Sequence, residues 1–194
     1  VDEFAVRFIV WILTNIIYRV KEQGRNNIPE DGAAVLVSNH VSFVDALIIA
    51  STSPRPIRFV MDHNIFKNPL IGWFFKLVKA IPIAPEKACE KTYKEAFDTV
   101  SQVLSEGHLV CIFPEGKLTK TGEMNEFKSG IEKIISRDPV PVIPIGLIGL
   151  WGSFFSHKEG VAFSKTPKRF WSRVEINIGP IIHPEKVSSQ GLYQ

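Results

Sequence analysis

The sequence predicts an α/β fold with a mainly parallel central sheet that helices cover on both faces. Short apolar runs such as residues 34–38 (AVLVS) and 109–113 (LVCIF) have the length and composition of buried strands. Longer amphipathic stretches such as residues 88–105 lie between such runs and have helical periodicity. Strands that alternate with helices are typical of a parallel sheet with both faces buried.

The remaining elements follow in chain order. Further strands are predicted at residues 57–61, 81–84, 142–147 and 174–178, and further helices at residues 44–51, 68–79 and 130–136. Pro69 lies in the first turn of the second of these helices, and Gly107 follows the helix predicted at 88–105. Both residues are typical at those helix ends. The polar residues 184–194 are expected to fray.

Residues 1–24 are predicted to form an N-terminal amphipathic helical element that associates with a membrane. Residues 4–20 contain neither Gly nor Pro and are rich in large apolar side chains. Their unbroken apolar run covers only residues 8–13, whereas a membrane-spanning helix needs about 20 apolar residues. We therefore expect a helix in the membrane interface, with Trp11 and Tyr18 at headgroup level. Packing of this helix on its own domain is the compatible alternative.

Residues 25–194 are predicted to form one catalytic domain. Of the 194 residues, 45% are apolar and 22% charged, which favours a folded domain over a disordered chain. The formal net charge of +3 is too small to indicate a nucleic-acid partner. Neither the two cysteines nor the five histidines have metal-ligand spacing, so no metal site is predicted. Because the chain starts with Val1, we expect it to be excised from a longer protein with fused domains.

One candidate catalytic pair follows the strand at residues 34–38. His40 lies just beyond its carboxyl end, where ligands bind in open α/β sheets, and Asp45 lies near the start of the next helix. A carboxylate on one imidazole nitrogen leaves the other nitrogen to act as a base toward a hydroxyl. No G-x-S-x-G motif supplies that hydroxyl, so the substrate would supply it. From this spacing alone, a helix-capping Asp45 and an ordinary loop histidine remain the alternative.

A second motif supports the catalytic reading. Residues 109–117 (LVCIFPEGK) place Glu115 just beyond another buried strand. Together, residues 39–45 (NHVSFVD) and 113–116 (FPEG) resemble the glycerolipid acyltransferase family, which contains the 1-acylglycerol-3-phosphate and lysophospholipid acyltransferases. Residues 81–83 (IPI) and 142–145 (VIPI) are similar to its second and fourth motifs, so the resemblance covers nearly the whole chain.

The resemblance implies a role for each motif residue. His40 would deprotonate the acceptor's glycerol hydroxyl, Asp45 would orient His40, and Glu115 with Gly116 would help to bind the glycerol phosphate. The donor would be acyl-CoA or acyl carrier protein, and no further cofactor would be needed. The other candidate substrate-binding residues near the two motifs are Asn39, Ser42 and Lys117.

The chain lacks three cations that members forming phosphatidic acid usually carry. Leu118, Asp62 and Pro85 stand at those positions, and Lys117 is the nearest cation in the third motif. A phosphodiester carries one negative charge and needs fewer cations than a phosphomonoester. These substitutions suggest a lysophosphodiester acceptor such as lysophosphatidylethanolamine, with Asp62 near the headgroup ammonium. The alternative is a 1-acylglycerol-3-phosphate acyltransferase that makes phosphatidic acid.

The pattern also resembles the acyltransferase domain of bacterial multidomain proteins. That resemblance implies a site at the cytoplasmic face of the inner membrane, peripheral or tethered through the rest of the chain. Residues 150–173 mix aromatic and basic side chains, which would suit an anionic membrane or an acidic carrier. Two readings from other classes remain, a non-catalytic lipid-binding module and a lipid hydrolase in which His40 activates water.

Overall fold

The computed structural model describes residues 3–42, 44–68, 72–152 and 171–193. Its strands are β1 (Tyr18–Gln23), β2 (Ala34–Ser38), β3 (Ile57–Asp62), β4 (Ile81–Ile83), β5 (Leu109–Ile112), β6 (Val142–Ile148) and β7 (Ser172–Ile178). Its helices are α1 (Glu3–Ile17), α2 (Asp45–Thr52), α3 (Gly72–Leu77), α4 (Glu90–Ser105), α5 (Gly130–Arg137) and α6 (Ser189–Tyr193). Short 3-10 helices lie at Arg25–Asn27, His63–Lys67 and Pro184–Lys186.

The described strands form one sheet in the order β1-β7-β6-β2-β5-β3-β4. Strands β2 to β6 are parallel to one another. Strand β7 is antiparallel to β6, and β1 pairs with β7 in parallel at the outer edge. The prediction of a mainly parallel sheet is therefore confirmed. The central strand is β2, with β5 on one side and β6 on the other.

Successive residues of β2 point to opposite faces of the sheet, and each face is covered by helices. Leu36 packs into a cluster that contains Ile48 and Ile49 of α2. Val35 and Val37 pack into a second cluster with residues of α4 and α5. This arrangement explains why β2 is apolar throughout, since neither face of the strand meets water. Helices on both faces were predicted, and this is confirmed.

The N-terminal segment differs from its prediction in one respect. Helix α1 ends at Ile17, and residues 18–23 form the unpredicted edge strand β1. Tyr18 is 3% exposed and packs in the core, so its placement at headgroup level is wrong. Part of the segment 1–24 therefore belongs to the sheet. Among the described helices, none combines the length and the apolar composition that crossing a bilayer requires.

The C-terminal residues are ordered, contrary to the expectation of fraying. The backbone N–H of Ser189 donates to Glu132 of α5 over 2.8 Å, and the ring of Tyr193 lies 5.6 Å from that of Phe127. These contacts dock α6 on the domain. The aromatic and basic stretch at residues 150–173 lies largely outside the described residues.

Candidate active site

The two motifs meet at the carboxyl end of the central sheet. Strands β2 and β5 are adjacent and parallel, with Leu36 opposite Cys111. The loops that leave these strands therefore emerge side by side, although they are far apart in sequence. His40 lies in the loop after β2 and Glu115 in the loop after β5.

His40 and Asp45 form a hydrogen-bonded pair. His40 Nδ1 lies 3.0 Å from Asp45 Oδ2, and Asp45 is the first residue of α2. The tight turn between them brings the carboxylate back to the imidazole. The backbone N–H groups of Val41 and Ser42 donate to the same oxygen over 2.7 and 2.9 Å. Three donors thus converge on Oδ2 and fix the orientation of the carboxylate.

Asp45 is fully buried, with a side-chain exposure of 0%. Burial raises the pKa of its carboxyl above the usual value, because a charge is costly away from water. The hydrogen bond and charge of His40, with the N–H groups of Ser42 and Val41, oppose part of that increase. Its other oxygen, Oδ1, is buried and has no hydrogen-bond partner among the described residues. His40 is therefore the side chain that offsets part of the cost of burying the Asp45 charge.

The ring of His40 is held on one face and reachable from outside. It stacks on Phe113 with ring centroids 4.2 Å apart and an interplanar angle of 19°. Its side chain is 19% exposed, and no described residue forms a hydrogen bond with Nε2. With Nδ1 directed at Asp45, Nε2 is the nitrogen that can take a proton from a substrate hydroxyl.

Both side-chain oxygens of Glu115, which the resemblance places at the glycerol phosphate, are hydrogen-bonded within the protein. Its side chain is enclosed, with the residue only 1% exposed. Oε1 accepts the backbone N–H of His40 over 2.7 Å. Oε2 accepts the backbone N–H and the side-chain amide of Asn125, both over 2.7 Å. Glu115 therefore joins the histidine loop to its own loop, which favours a positioning role over substrate binding.

Two further residues, Thr119 and Leu147, hold the loop around His40 through hydrogen bonds. The carbonyl of His40 accepts the backbone N–H of Thr119 over 3.0 Å. The side-chain oxygen of Asn39 accepts the N–H of Leu147 over 2.7 Å, and its amide donates to the carbonyl of Leu147 over 3.0 Å. Asn39 thus pairs with β6 as a strand residue would, and its amide is occupied rather than free for substrate. No role was predicted for Thr119, the last residue of the third motif (EGKLT), or for Asn125, which lies beyond it, because their contacts with the two loops form only in the folded chain.

The other predicted substrate-binding residues are placed differently. Ser42 is 0% exposed and its N–H donates to Asp45, which favours a structural role over contact with substrate. Asp62 is exposed and caps the following 3-10 turn by accepting the N–H of Asn64 over 2.8 Å. Lys117 is exposed beside the third motif. Among the described residues, no group of His, Cys, Asp or Glu side chains is arranged to hold a metal ion.

Replacing Glu115 with Gln is expected to lower both stability and turnover. The Gln amide nitrogen must face either the N–H of His40 or the two donors of Asn125, so at least one buried hydrogen bond is lost. We expect a loss of about 1–3 kcal/mol in the free energy of unfolding. Urea denaturation measures it, with the exposed Glu126→Gln as the matched control.

The kinetic effect separates positioning from substrate binding. If Glu115 positions His40, its replacement lowers kcat more than it raises the KM for the acceptor. An unchanged stability together with a raised acceptor KM alone would show instead that Glu115 binds the substrate.

Comparison with known proteins decides the family. The sequence model of the family described as Acyltransferase matches residues 19–148. This range contains β1 from its second residue onward, β2 to β6 and both loops around His40. The chain belongs to the acyltransferase family.

Two curated relatives and one solved structure illustrate the similarity. A chloroplastic 1-acyl-sn-glycerol-3-phosphate acyltransferase of Arabidopsis thaliana is 30% identical over 145 residues, covering 74% of this chain and 40% of that protein. A 1-acyl-sn-glycerol-3-phosphate acyltransferase of Pseudomonas aeruginosa is 28% identical over 188 residues, covering 92% of this chain and 65% of that protein. The crystal structure of the 1-acyl-sn-glycerophosphate acyltransferase PlsC of Thermotoga maritima matches with a TM-score of 0.73 and 20% identity, covering 98% of this chain and 78% of that one.

The chain covers less than half of the length of its chloroplastic relatives. It spans 40% and 41% of the lengths of the chloroplastic relatives from Arabidopsis thaliana and Brassica napus. The solved structure supports the α/β fold. The resemblance drawn from the two sequence motifs is confirmed by the family match.

Proposed function

We propose that this chain transfers a fatty acyl group from a thioester to the free glycerol hydroxyl of a lysophospholipid. The observation that carries the proposal is the contact of 3.0 Å between His40 Nδ1 and the buried Asp45 carboxylate, with the ring partly open to substrate. Membership of the acyltransferase family supports the reaction type. The donor is acyl-CoA or acyl carrier protein.

His40 acts as the general base in the proposed reaction. Its Nε2 takes the proton of the acceptor hydroxyl while the hydroxyl oxygen attacks the thioester carbon, and Asp45 stabilises the imidazolium that forms. The tetrahedral intermediate collapses as the C–S bond breaks. The imidazolium returns the proton to the leaving thiolate, so the products are the ester and a free thiol. No electrons are exchanged, and the thioester is already activated toward attack.

For the acceptor, the names of the relatives favour a phosphomonoester. Both relatives compared above are named 1-acyl-sn-glycerol-3-phosphate acyltransferases, so we place 1-acylglycerol-3-phosphate first. A lysophosphodiester such as lysophosphatidylethanolamine is the second candidate, because Leu118, Asp62 and Pro85 stand where cations are expected. The exposed Asp62 carboxylate could meet an ammonium headgroup.

An acceptor panel tests this choice. The purified domain is supplied with labelled acyl-CoA and either 1-acylglycerol-3-phosphate or lysophosphatidylethanolamine. We expect a higher kcat/KM for 1-acylglycerol-3-phosphate. A preference for lysophosphatidylethanolamine would favour the second candidate, and thioester hydrolysis without transfer to either would contradict the acyltransferase proposal.

An apolar cavity beside the site supports binding of the acyl chain. It lies between β3, α2 and α3 and is lined by Phe59, Met61, Leu47 and Phe74, among others. Phe59 lies 6.5 Å from Phe113, the residue on which the His40 ring stacks. With a volume of about 60 Å³ the cavity holds only a short length of hydrocarbon, which would lie near the imidazole while the rest of the acyl chain extends beyond it.

The outer side of α1 supports a location at a membrane surface. Its exposed large apolar side chains are 47–62% exposed, and they are Phe8, Ile9, Trp11, Leu13 and Ile16. Val10, on the inner side of the same helix, lines the apolar cavity. Docking of α1 in the interface would therefore bring that cavity to the lipid. We propose that the chain acts at the cytoplasmic face of a bacterial inner membrane.

Replacing Ile9 and Ile16 together with Glu is expected to abolish binding to anionic vesicles. The two charges would have to enter the apolar part of the interface, which is unfavourable. Cosedimentation with vesicles measures the effect. The control is Ile181→Glu, which changes an exposed apolar residue outside α1. Unchanged cosedimentation of the double variant would contradict docking through α1.

A further inference from the structure

The proposed acceptor brings a phosphate to a third motif that lacks its expected cation. Position 118 is Leu, and Glu115 is buried with both oxygens occupied. A phosphate left without a cationic partner would bind poorly, because anions favour charge-assisted hydrogen bonds. The question is which side chain near this motif supplies positive charge.

Lys128 lies twelve positions after Gly116 in the sequence, and it folds back to the third motif. Its backbone N–H donates to the carbonyl of Pro114 over 3.0 Å, which anchors it beside the motif. Its side chain then lies across Gly116. A Cβ at Gly116 would be 2.7 Å from Lys128 Nζ and 3.3 Å from its Cε.

Gly116 therefore makes room for the lysine. Its φ is +64°, a conformation that side chains rarely adopt, and it presents no Cβ where the ammonium lies. A side chain at position 116 would displace the flexible end of Lys128 from the place where it now lies. Lys117, the nearest cation in sequence, is exposed but has no described contact that places it.

The ammonium of Lys128 is available to a ligand. It forms no ion pair with any carboxylate of the described residues, whereas Lys94 and Lys133 do pair with Glu side chains. The neighbouring carboxylate of Glu115 is turned toward His40 and Asn125. Among the described residues, Lys128 is thus a cation without an ion pair, and its side chain lies over the residue that follows Glu115.

We propose that Lys128 Nζ binds the phosphate group of the acceptor and supplies the charge that Leu118 does not. The inference rests on the proposed function, because it names the contact that recognises the acceptor. A lysine ammonium is a point charge on a flexible stem, so it can serve a phosphate without the bidentate geometry of arginine. The departure at position 118 is then a relocation of the charge rather than its loss.

The test compares Lys128→Met with Lys117→Met, and Lys94→Met on α4 serves as the remote control. We expect Lys128→Met to raise the KM for 1-acylglycerol-3-phosphate on the order of tenfold, as for loss of one charge-assisted hydrogen bond. The KM for acyl-CoA should stay unchanged, and so should turnover of monoacylglycerol, which lacks the phosphate. Lys128→Arg, which keeps the charge, should retain most of the acceptor affinity.

Several results would overturn the assignment. An acceptor KM unchanged in Lys128→Met, or raised only in Lys117→Met, would place the phosphate elsewhere. A raised KM for acyl-CoA alone would assign Lys128 to the phosphates of the donor. Calorimetric binding of 1-acylglycerol-3-phosphate separates the two proposals. Binding that depends on Lys128 without any acyl transfer would refute the proposed function but not the contact.

Discussion

His40→Ala is expected to lower kcat/KM for acyl transfer by about 10³- to 10⁴-fold, the usual contribution of a positioned general base at its upper end. The substitution removes the nitrogen that takes the hydroxyl proton. It leaves the thioester and acceptor contacts in place, so the loss should appear in kcat. A coupled assay of thiol release, with acyl-CoA and 1-acylglycerol-3-phosphate, measures it.

The control for this variant is the exposed His183→Ala, which lies away from the two motif loops. Because the His40 ring packs on Phe113, the alanine variant could lose some stability, and His40→Gln keeps more of that contact. Circular dichroism shows whether each variant is folded. A folded His40 variant with wild-type turnover would eliminate His40 as the base.

Asp45→Asn is expected to lower kcat by about 10³-fold or more while the protein stays folded. The Asn oxygen can still accept the N–H groups of Val41 and Ser42. Its amide nitrogen would then occupy the position of Oδ1, which has no described partner to clash with. What is lost is the negative charge that stabilises the imidazolium. Wild-type kcat in a folded Asp45→Asn protein would contradict this role.

The same variant is expected to change how stability depends on pH. Because burial raises the pKa of Asp45, the folded protein holds this proton more tightly than the unfolded chain does. Its contribution to stability is present at low pH and is lost as the pH rises from the ordinary value of 3.8 through the raised one. The melting temperature of Asp45→Asn, measured relative to that of the wild type, should therefore rise as the pH increases. Parallel curves would show that Asp45 is not perturbed.

The parallel core and the catalytic pair could be predicted because local sequence encodes them. Strand β2 is apolar throughout, as a strand buried on both faces must be, and its bounds match the prediction. His40 follows its carboxyl end, and Asp45 begins the next helix, so a short turn suffices to join them. Both residues lie within one short segment, so their pairing could be predicted without knowing the rest of the fold.

Long-range contacts could not be read in this way. Glu115 looks like a polar turn residue, and only the adjacency of β2 and β5 turns it into an acceptor for the backbone of His40. Asn39 likewise meets Leu147 only because β6 lies beside β2. Both residues were predicted to bind substrate, since motif membership does not distinguish a ligand contact from a scaffold contact.

Strand β1 was missed for a different reason. Its residues YRVKEQ are mostly exposed and polar, and they follow α1 without Gly or Pro, so the sequence gives no sign that the helix ends at Ile17. Pairing with β7 at the edge of the sheet determines its conformation. Lys128 was missed because nothing in the sequence distinguishes it from the other lysines. Its place over Gly116 depends on the path of the loop.

In the proposed reaction the lipid hydroxyl attacks the thioester directly, with His40 as its base. Rapid mixing of the protein with labelled acyl-CoA, first without and then with 1-acylglycerol-3-phosphate, tests this claim. We expect no acylated protein and no burst of thiol release until the acceptor is added, followed by His40-dependent formation of the ester. A stoichiometric burst of thiol with label bound covalently to the protein in the absence of acceptor would contradict direct transfer.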